Sequence, residues 1–406
     1  MASKVTKTNN VSIWCIITIA SIPLIMTLGN SMLIPVLPVF EEEIGISPFQ
    51  SSLIITVYSV AAILIIPIAG YLSDRYGRKM IMIPGLIFTF IGGLIAGIAS
   101  LIVENPFAWI LVGRALQGIG AAGALPIILP LVGDLYKDND EKASSCLGLV
   151  ETSNTFGKVL SPIIGALFAA MLWYLPFFSI SAFSLISLIA VIFFIKVPKD
   201  KEEPLKLKEF LSETKKIFQV EGKWLYTVFL LGAYTMLLLF GILFYLSDIL
   251  EKQYGVDGVP KGVVLAYPLV VLCLTSFITG RKIKGDLKTM KIIIMSAVAV
   301  LAVSITTVGF SSDSIALLLI STSLNGLAIG ALLPTLDAMI TESINKETRG
   351  TITSFYSSAR FIGVAAGPPI VSLMMPIDIN VGYIMAGVLG ALLFILSWKW
   401  INPNQT

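Results

Sequence analysis

Apolar runs of roughly 20 residues or more recur along the chain, parted by short polar turns. They predict about twelve membrane-spanning helices, centred near residues 26, 61, 90, 121, 157, 184, 236, 271, 299, 328, 362 and 390. The runs are continuous rather than alternating, which excludes a β-barrel. The first, from about Val11 to Phe40, is too long for a signal-peptide core and lacks a small-residue cleavage site, so it reads as a retained membrane helix. One hydrophilic stretch interrupts the series and divides the chain into six helices over residues 1–196, a cytoplasmic linker over 197–222, and six helices over 223–406. Leu205–Phe218, in that linker, has spacing that fits either an amphipathic helix on the membrane face or a solvated connector.

The two halves repeat. Gln117-Gly-Ile-Gly-Ala-Ala-Gly-Ala-Leu-Pro126 aligns without a gap on Asn325-Gly-Leu-Ala-Ile-Gly-Ala-Leu-Leu-Pro334, and the same register sets Asp134 over Glu342. Ser161-Pro162 falls nearly over Pro368-Pro369 after one residue of slippage, and Gly70 with its basic turn has a weaker echo at Gly280–Lys288. The expected fold is therefore all-α and polytopic, built of two six-helix pseudo-repeats.

Composition narrows the function. The chain has 406 residues, of which 56% are hydrophobic and 13% charged, with a mean hydropathy of +0.90, which no soluble globular domain matches. Lys4, Lys7, the Arg75–Lys79 cluster, Arg281, Lys282, Lys284, Lys288 and Lys399 fall on one side of the bilayer. Glu41, Glu42, Glu43, Glu104, Asp257 and Asp313 fall mainly on the other, which predicts both termini in the cytoplasm. The net charge of +3 reflects these loops rather than a nucleic-acid surface. Histidine is absent, so a proton pathway must run on carboxylates. Cys15, Cys146 and Cys273 lie in apolar segments at unrelated spacings and read as packing residues. With no nucleotide-binding glycine loop, metal site or nucleophile–base pair, neither ATP-driven transport nor an enzyme is expected, and no cofactor.

Chemistry concentrates at a few polar positions. Gly70-Tyr-Leu-Ser-Asp-Arg-Tyr-Gly-Arg-Lys79 joins two runs by a turn too short to be a domain. Gly70 and Gly77 allow close helix ends, Asp74 can pair with an arginine or cap a helix, and Arg75, Arg78 and Lys79 anchor the turn. Arg114 sits inside an apolar span, where a cation needs a partner; it either ties helices together or tunes a nearby carboxylate. Gly157, Ser161, Pro162 and Gly165 bend the fifth helix and allow close packing. Glu151 and Lys158 on that helix are seven residues apart, on one face, and too distant to pair directly. Glu151 is the leading proton carrier; Lys158 either favours anionic or zwitterionic cargo or neutralises the neighbourhood. Asp337 and Arg360 can pair across adjacent helices or widen a cavity of mixed charge. Asp248 and Glu251 read as interfacial acids. Asn30, Tyr234, Phe240, Tyr267, Phe355 and Tyr356 complete the candidate cavity lining.

The turn at Gly70–Lys79 resembles the loop between helices 2 and 3 of major facilitator superfamily transporters. Leu111-Val-Gly-Arg-Ala-Leu-Gln-Gly-Ile-Gly-Ala-Ala122 resembles the helix 4 motif of its proton-coupled drug antiporters, and Gly157–Gly165 the helix 5 antiporter motif, with Ser161 where exporters commonly have glycine. Gly363-Val-Ala-Ala-Gly-Pro-Pro369 is nearer the usual pattern. The resemblance, from Val11 to Trp400, is to the twelve-helix drug:proton antiporters. It implies a monomer in a bacterial cytoplasmic membrane that exports amphiphilic compounds in exchange for protons. Asp74, Arg75 and Arg78 would latch the halves when the site faces outward, with Glu151, Arg114 and Asp337 in proton coupling. A dedicated exporter of one natural product, such as a siderophore, peptide antibiotic or lipid-linked sugar, shares every motif, and an uptake symporter is the more distant alternative.

Overall fold

The computed structural model describes residues 11–136, 140–196, 219, 222–283, 286–311, 313–344 and 346–401. Its helices are α1 (Ile13–Ser31), α2 (Leu37–Ile44), α3 (Pro48–Tyr76), α4 (Arg78–Ile102), α5 (Phe107–Ala124), α6 (Ile128–Leu135), α7 (Asp140–Met171) and α8 (Leu175–Phe194), then α9 (Gly222–Lys252), α10 (Gly258–Lys282), α11 (Leu287–Gly309), α12 (Ile315–Ser343), α13 (Lys346–Met374) and α14 (Ile379–Trp400). Two rods are broken. A 3₁₀ turn at Ile34–Val36 separates α1 from α2 beside Pro35 and Pro38, and α5 gives way to α6 around Pro126. The first rod runs past Phe40 to Ile44 and stops at Gly45, whose φ of 65° suits a residue without a side chain. Glu41, Glu42 and Glu43 are thus helical rather than loop residues.

Among the described residues, 11 helical segments are long and apolar enough to cross a bilayer. The expected twelfth, α13, is 29 residues long but carries Arg360 and a serine- and threonine-rich first half. Its polarity faces protein: α13 packs along α9 on one side and α3 on the other. The possible linker helix at Leu205–Phe218 lies outside the described residues.

Helix pairing repeats as the sequence does. In the first half α1 packs on α7, α3 and α4 on α5, and α4 on α8; in the second α9 packs on α13, α10 and α11 on α12, and α11 on α14. Without a hydrophobic drive between helices in lipid, such pairs depend on backbones approaching closely at small residues. A side chain at Gly118 of α5 would collide with the Tyr58 carbonyl of α3, and one at Gly326 of α12 with the Pro268 carbonyl of α10. Those glycines are superposed by the register that aligns Gln117 with Asn325. The halves meet where α3 lies along α13 and α7 along α10. Thr56 Oγ1 donates to the Ala365 carbonyl across the first of these seams at 2.8 Å.

Gly118→Val and Gly326→Val are each expected to lower stability by about 1–3 kcal/mol or more, because overpacking a backbone contact leaves nothing that can yield. Gly148→Val, with open space where its side chain would go, is the control. The check is the fraction of detergent-extracted protein that elutes as one sharp peak in size-exclusion chromatography. Equal recovery of all three would contradict the packing account.

Candidate functional site

The Gly70–Lys79 turn builds one end of the bundle. Gly77 has a φ of 98° between α3 and α4, a left-handed conformation that requires glycine. Arg78 is fully engaged by the first half: its guanidinium pairs with Asp74, bonds Ser73 Oγ at 2.8 Å, and meets Asp134 Oδ2 of α6 at 2.9 Å. Lys79 Nζ donates to the Ile192 and Ile195 carbonyls at 2.7 and 2.9 Å, capping the C-terminal end of α8. Arg75 leans on the Tyr76 ring. Among the described residues, none of these cations reaches the second half. Instead Gly70 itself faces it, with Ser354 Oγ of α13 3.1 Å from where a side chain would begin. The latch expected of Asp74, Arg75 and Arg78 is therefore an internal brace in this state. Asp134, which sequence reasoning noted only as a repeat position, belongs to it.

Arg114 is fully buried and, among the described residues, meets no carboxylate. Its Nε donates to the Ile54 carbonyl at 2.8 Å, Nη1 to the Gly29 carbonyl at 3.2 Å and Gln117 Oε1 at 2.6 Å, and Nη2 to Asn30 Oδ1 at 2.7 Å. Its Cζ lies 4.4 Å from the centre of the Tyr58 ring. One guanidinium thus binds α1, α3 and α5 together. Of the two roles open from the sequence, the geometry supports the tie. Asn30, expected in the cavity, is instead buried as an Arg114 partner.

The remaining embedded charges converge. Glu151 and Lys158 of α7, Asp337 of α12 and Arg360 of α13 lie within electrostatic range of one another. Arg360 Nη1 is 3.5 Å from Asp337 Oδ1. Asp337, in the last two turns of α12, keeps 37% of its side chain exposed. Lys158 is 9% exposed, and among the described residues no hydrogen bond or ion pair holds its Nζ. Beside it a narrow gap between the halves, with room for about one water molecule, is lined by Ser31, Ile34, Pro35, Lys158, Ser161, Phe240, Leu243, Leu265 and Leu269, among others. Pro162 has no N–H to give the Lys158 carbonyl four residues back, and Ser161 Oγ takes that acceptor at 2.9 Å. Serine at this motif position keeps the bend satisfied. Gly157 and Gly165 back onto the Leu24 and Met32 carbonyls of the first rod.

The aromatic expectations divide. Phe240 lines the cavity, and Tyr356 is buried with its ring 5.7 Å from Arg360 Cζ. Phe355 is half-buried one residue away. Tyr234 does not line the cavity: it is buried in the second half, its hydroxyl donating to the Ala386 carbonyl of α14 at 2.9 Å. Tyr267 is 57% exposed on the outer surface of α10. Both miss because every face of a membrane helix is apolar, so hydropathy does not tell the cavity side from the lipid side.

At the opposite end, Lys252 of α9 bridges the halves, 3.2 Å from Glu41 Oε2 of α2 and 2.5 Å from Asp248 Oδ1. Ser51 Oγ also donates to Glu41 at 2.7 Å, and Ser247 Oγ to the Ile34 carbonyl at 3.3 Å. Buried Lys261 of α10 pairs with Glu251. Asp248 and Glu251, read as interfacial acids, are thus fixed partners. Lys252 and Lys261, both unremarked in sequence, supply the cations.

Arg114→Met strands the Gly29 carbonyl, near the end of α1, and the side-chain oxygens of Asn30 and Gln117. At about 1–3 kcal/mol for each buried group left unsatisfied, several kcal/mol of stability should go. Thermal unfolding of the purified protein in detergent measures this; an unchanged midpoint would show that the guanidinium holds nothing together.

The Major Facilitator Superfamily matches residues 19–307 and 288–406. A relative in Bacillus subtilis (strain 168), the Bacillibactin exporter, is 51% identical over 360 residues, 89% of this chain and 89% of its own. Multidrug resistance protein 1 of the same organism is 24% identical over 381 residues, 93% of each chain. Among solved structures, the human organic anion transporter MFSD10 (TETRAN) superposes with a TM-score of 0.73 at 18% identity, over 95% of this chain and 99% of that one. A D-xylose-proton symporter reaches 0.76 at 15% identity, over 96% and 98%. With the family match spanning nearly the whole chain and both halves pairing their helices alike, the chain belongs to the Major Facilitator Superfamily.

Proposed function

We propose that the chain is a secondary exporter that carries a natural product out of a bacterial cell, in exchange for protons taken up by Glu151 and Asp337. The observation that carries the reading is the cluster of Glu151, Lys158, Asp337 and Arg360, two acids and two cations drawn from both halves and within electrostatic range of one another. Hydrogen-bond donors on the cargo and a proton compete for the same carboxylate oxygens, so each can displace the other, which is the requirement for exchange. One proton entering supplies about 2.3 kcal/mol for every 100 mV of membrane potential.

The cations favour a narrow cargo. A pump for generic lipophilic cations gains nothing from Lys158 and Arg360 at the site, whereas a cargo with acceptor or anionic groups does. The relative at 51% identity is named for bacillibactin, and a siderophore-type product is the cargo class proposed. Broad multidrug efflux is the second reading, supported by the relatives named for it and by the apolar cavity wall.

In the proposed orientation the Arg78 end is cytoplasmic and the Glu41 end outward. The Glu41–Lys252–Asp248 group then closes the outer side of a site that faces the cytoplasm. Lys252 is half exposed, so each of its ion pairs contributes only about 0.2–1 kcal/mol, a clasp weak enough to open in a cycle.

Two measurements test this. In proteoliposomes with an internal pH dye, adding bacillibactin-type compounds should move protons, and Glu151→Gln should abolish that movement. Movement unchanged in Glu151→Gln would place the carrier at Asp337, and a response to every lipophilic dye in a panel would favour the multidrug reading. For the clasp, Lys252→Met should lengthen the distance distribution between spin labels at Glu43 and Asp257. An unaltered distribution would mean the ion pairs do not hold that end shut.

A further inference from the structure

We infer that the second half binds one buried water molecule where the first half holds the Arg114 guanidinium, so that α9, α10 and α12 are joined by an exchangeable ligand rather than by a side chain. The inference stands apart from the export reading.

The repeat supplies the comparison. In the first half Arg114 of α5 reaches Gln117 Oε1 on its own helix, the Ile54 carbonyl of α3, and Gly29 with Asn30 of α1. The register that sets Gln117 on Asn325 sets Arg114 on Thr322. Gly118 lies against the Tyr58 carbonyl as Gly326 lies against the Pro268 carbonyl, which extends the register to the neighbouring helix and sets Ile54 on Val264. Thr322 is far shorter than arginine, and its hydroxyl turns back to the Leu318 carbonyl of its own helix at 2.8 Å. Position 322 thus brings no cation to the joint, while two of the acceptors that Arg114 serves have counterparts there.

Both counterparts call for a donor. Asn325 is 1% exposed, and its Nδ2 donates to the Ser321 carbonyl at 3.0 Å, which fixes the orientation of the amide. Among the described residues, no donor reaches its Oδ1. On α10, Pro268 has no N–H to give the Val264 carbonyl four residues back. A gap with room for about one water molecule lies here, lined by Pro268, Thr322, Asn325 and Gly326 and closed by Leu239 and Ile242 of α9. A water has two O–H donors, one for Asn325 Oδ1 and one for the Val264 carbonyl, as Nη1 and Nε of Arg114 serve Gln117 and Ile54. The residues lining the gap carry no charge, so a bare cation of the same size would pay for its lost hydration without a counterion.

The water's position gives it a consequence. Leu239 and Leu243 line this gap on one side and the gap beside Lys158 on the other, so the water lies one layer of side chains behind the central cluster. A guanidinium is tethered and cannot leave its joint. Bonds to a water are nearly as favourable and re-form with the next molecule, so α9 can shift against α10 and α12 at little cost.

The test is hydroxyl-radical labelling of the purified full-length protein under an X-ray pulse, read by mass spectrometry, because ordered water marks even buried side chains beside it. Pro268 and Ile329, both buried and lining the gap, should be labelled several times faster than Leu301, which is buried and lines neither gap. Asn325→Leu keeps the volume but removes an acceptor. It should reduce labelling of Pro268 and Ile329 to the Leu301 rate and lower the thermal midpoint, since the Val264 carbonyl loses its donor. In a Pro268→Ala background, where an N–H is returned to Val264, the same substitution should lower the midpoint much less. Were Asn325 Oδ1 simply bare, Asn325→Leu would raise the midpoint by removing an unmet acceptor. That rise overturns the proposal, as does wild-type labelling no faster than at Leu301. If Asn325→Leu does not fold, the wild-type labelling decides.

Discussion

The interior of a bilayer offers an ionised side chain no water, so each embedded charge must be answered by protein or by a cavity that water enters. This chain uses both answers, and they divide its charged residues by role. Arg114 is answered wholly by protein: two backbone carbonyls, two side-chain amides and the face of Tyr58 surround it. Such a cation has no second arrangement of comparable energy, so it acts as a fixed joint among three helices. Glu151, Lys158, Asp337 and Arg360 are answered by one another and by the space between the halves. Equal numbers of acids and cations keep that group near neutrality while leaving individual partners exchangeable.

The same division shapes the packing. Within each half, helices touch backbone to backbone at glycines such as Gly118 and Gly326, contacts that tolerate no sliding. Between the halves Gly262 of α10 likewise lies against the Pro162 carbonyl of α7, and polar contacts join it: Thr56 to the Ala365 carbonyl at 2.8 Å, Ser358 to the Ile63 carbonyl at 3.5 Å, Lys252 to Glu41 at 3.2 Å. Pro162 belongs to both regimes. It bends α7 where that helix carries Lys158, and Ser161 repairs the hydrogen bond the bend removes.

Much of this was legible in the sequence, because period, repeat and buried charge are local signals. The pairing of Asp337 with Arg360 was one of two arrangements their depth allowed, and the equivalence of Gly118 and Gly326 followed from the gapless register of their segments. Arg114 announced that it needed a partner but not which one, since backbone carbonyls leave no mark on a sequence. The bond between Lys252 and Glu41 joins positions 211 residues apart, on either side of a register that the repeat does not relate. Ser161 looked like a departure from an expected glycine; only the geometry shows that its hydroxyl replaces a missing backbone donor. Tyr267 was misplaced because burial within a helical rod, rather than hydropathy, separates the cavity face from the outer surface.

The contrast between the two ends bears directly on how such a protein changes state. At the Arg78 end the charges are satisfied inside one half, so separating the halves there breaks no ion pair of Asp74, Arg78 or Asp134. At the Glu41 end, separation breaks the Lys252–Glu41 contact, but Lys252 keeps Asp248 and Glu41 keeps Ser51. Neither partner is left bare, and the cost of opening stays near that of one screened pair, about 0.2–1 kcal/mol, together with the apolar contact released. The ion-pair part of that cost is small enough for one proton or one bound anion at the central cluster, each of which alters the local charge by a full unit, to outweigh it. The internal brace and the weak clasp are therefore complementary: the first ties α3, α4 and α6 of the first half together, and the second adds little to the cost of parting the halves at the Glu41 end.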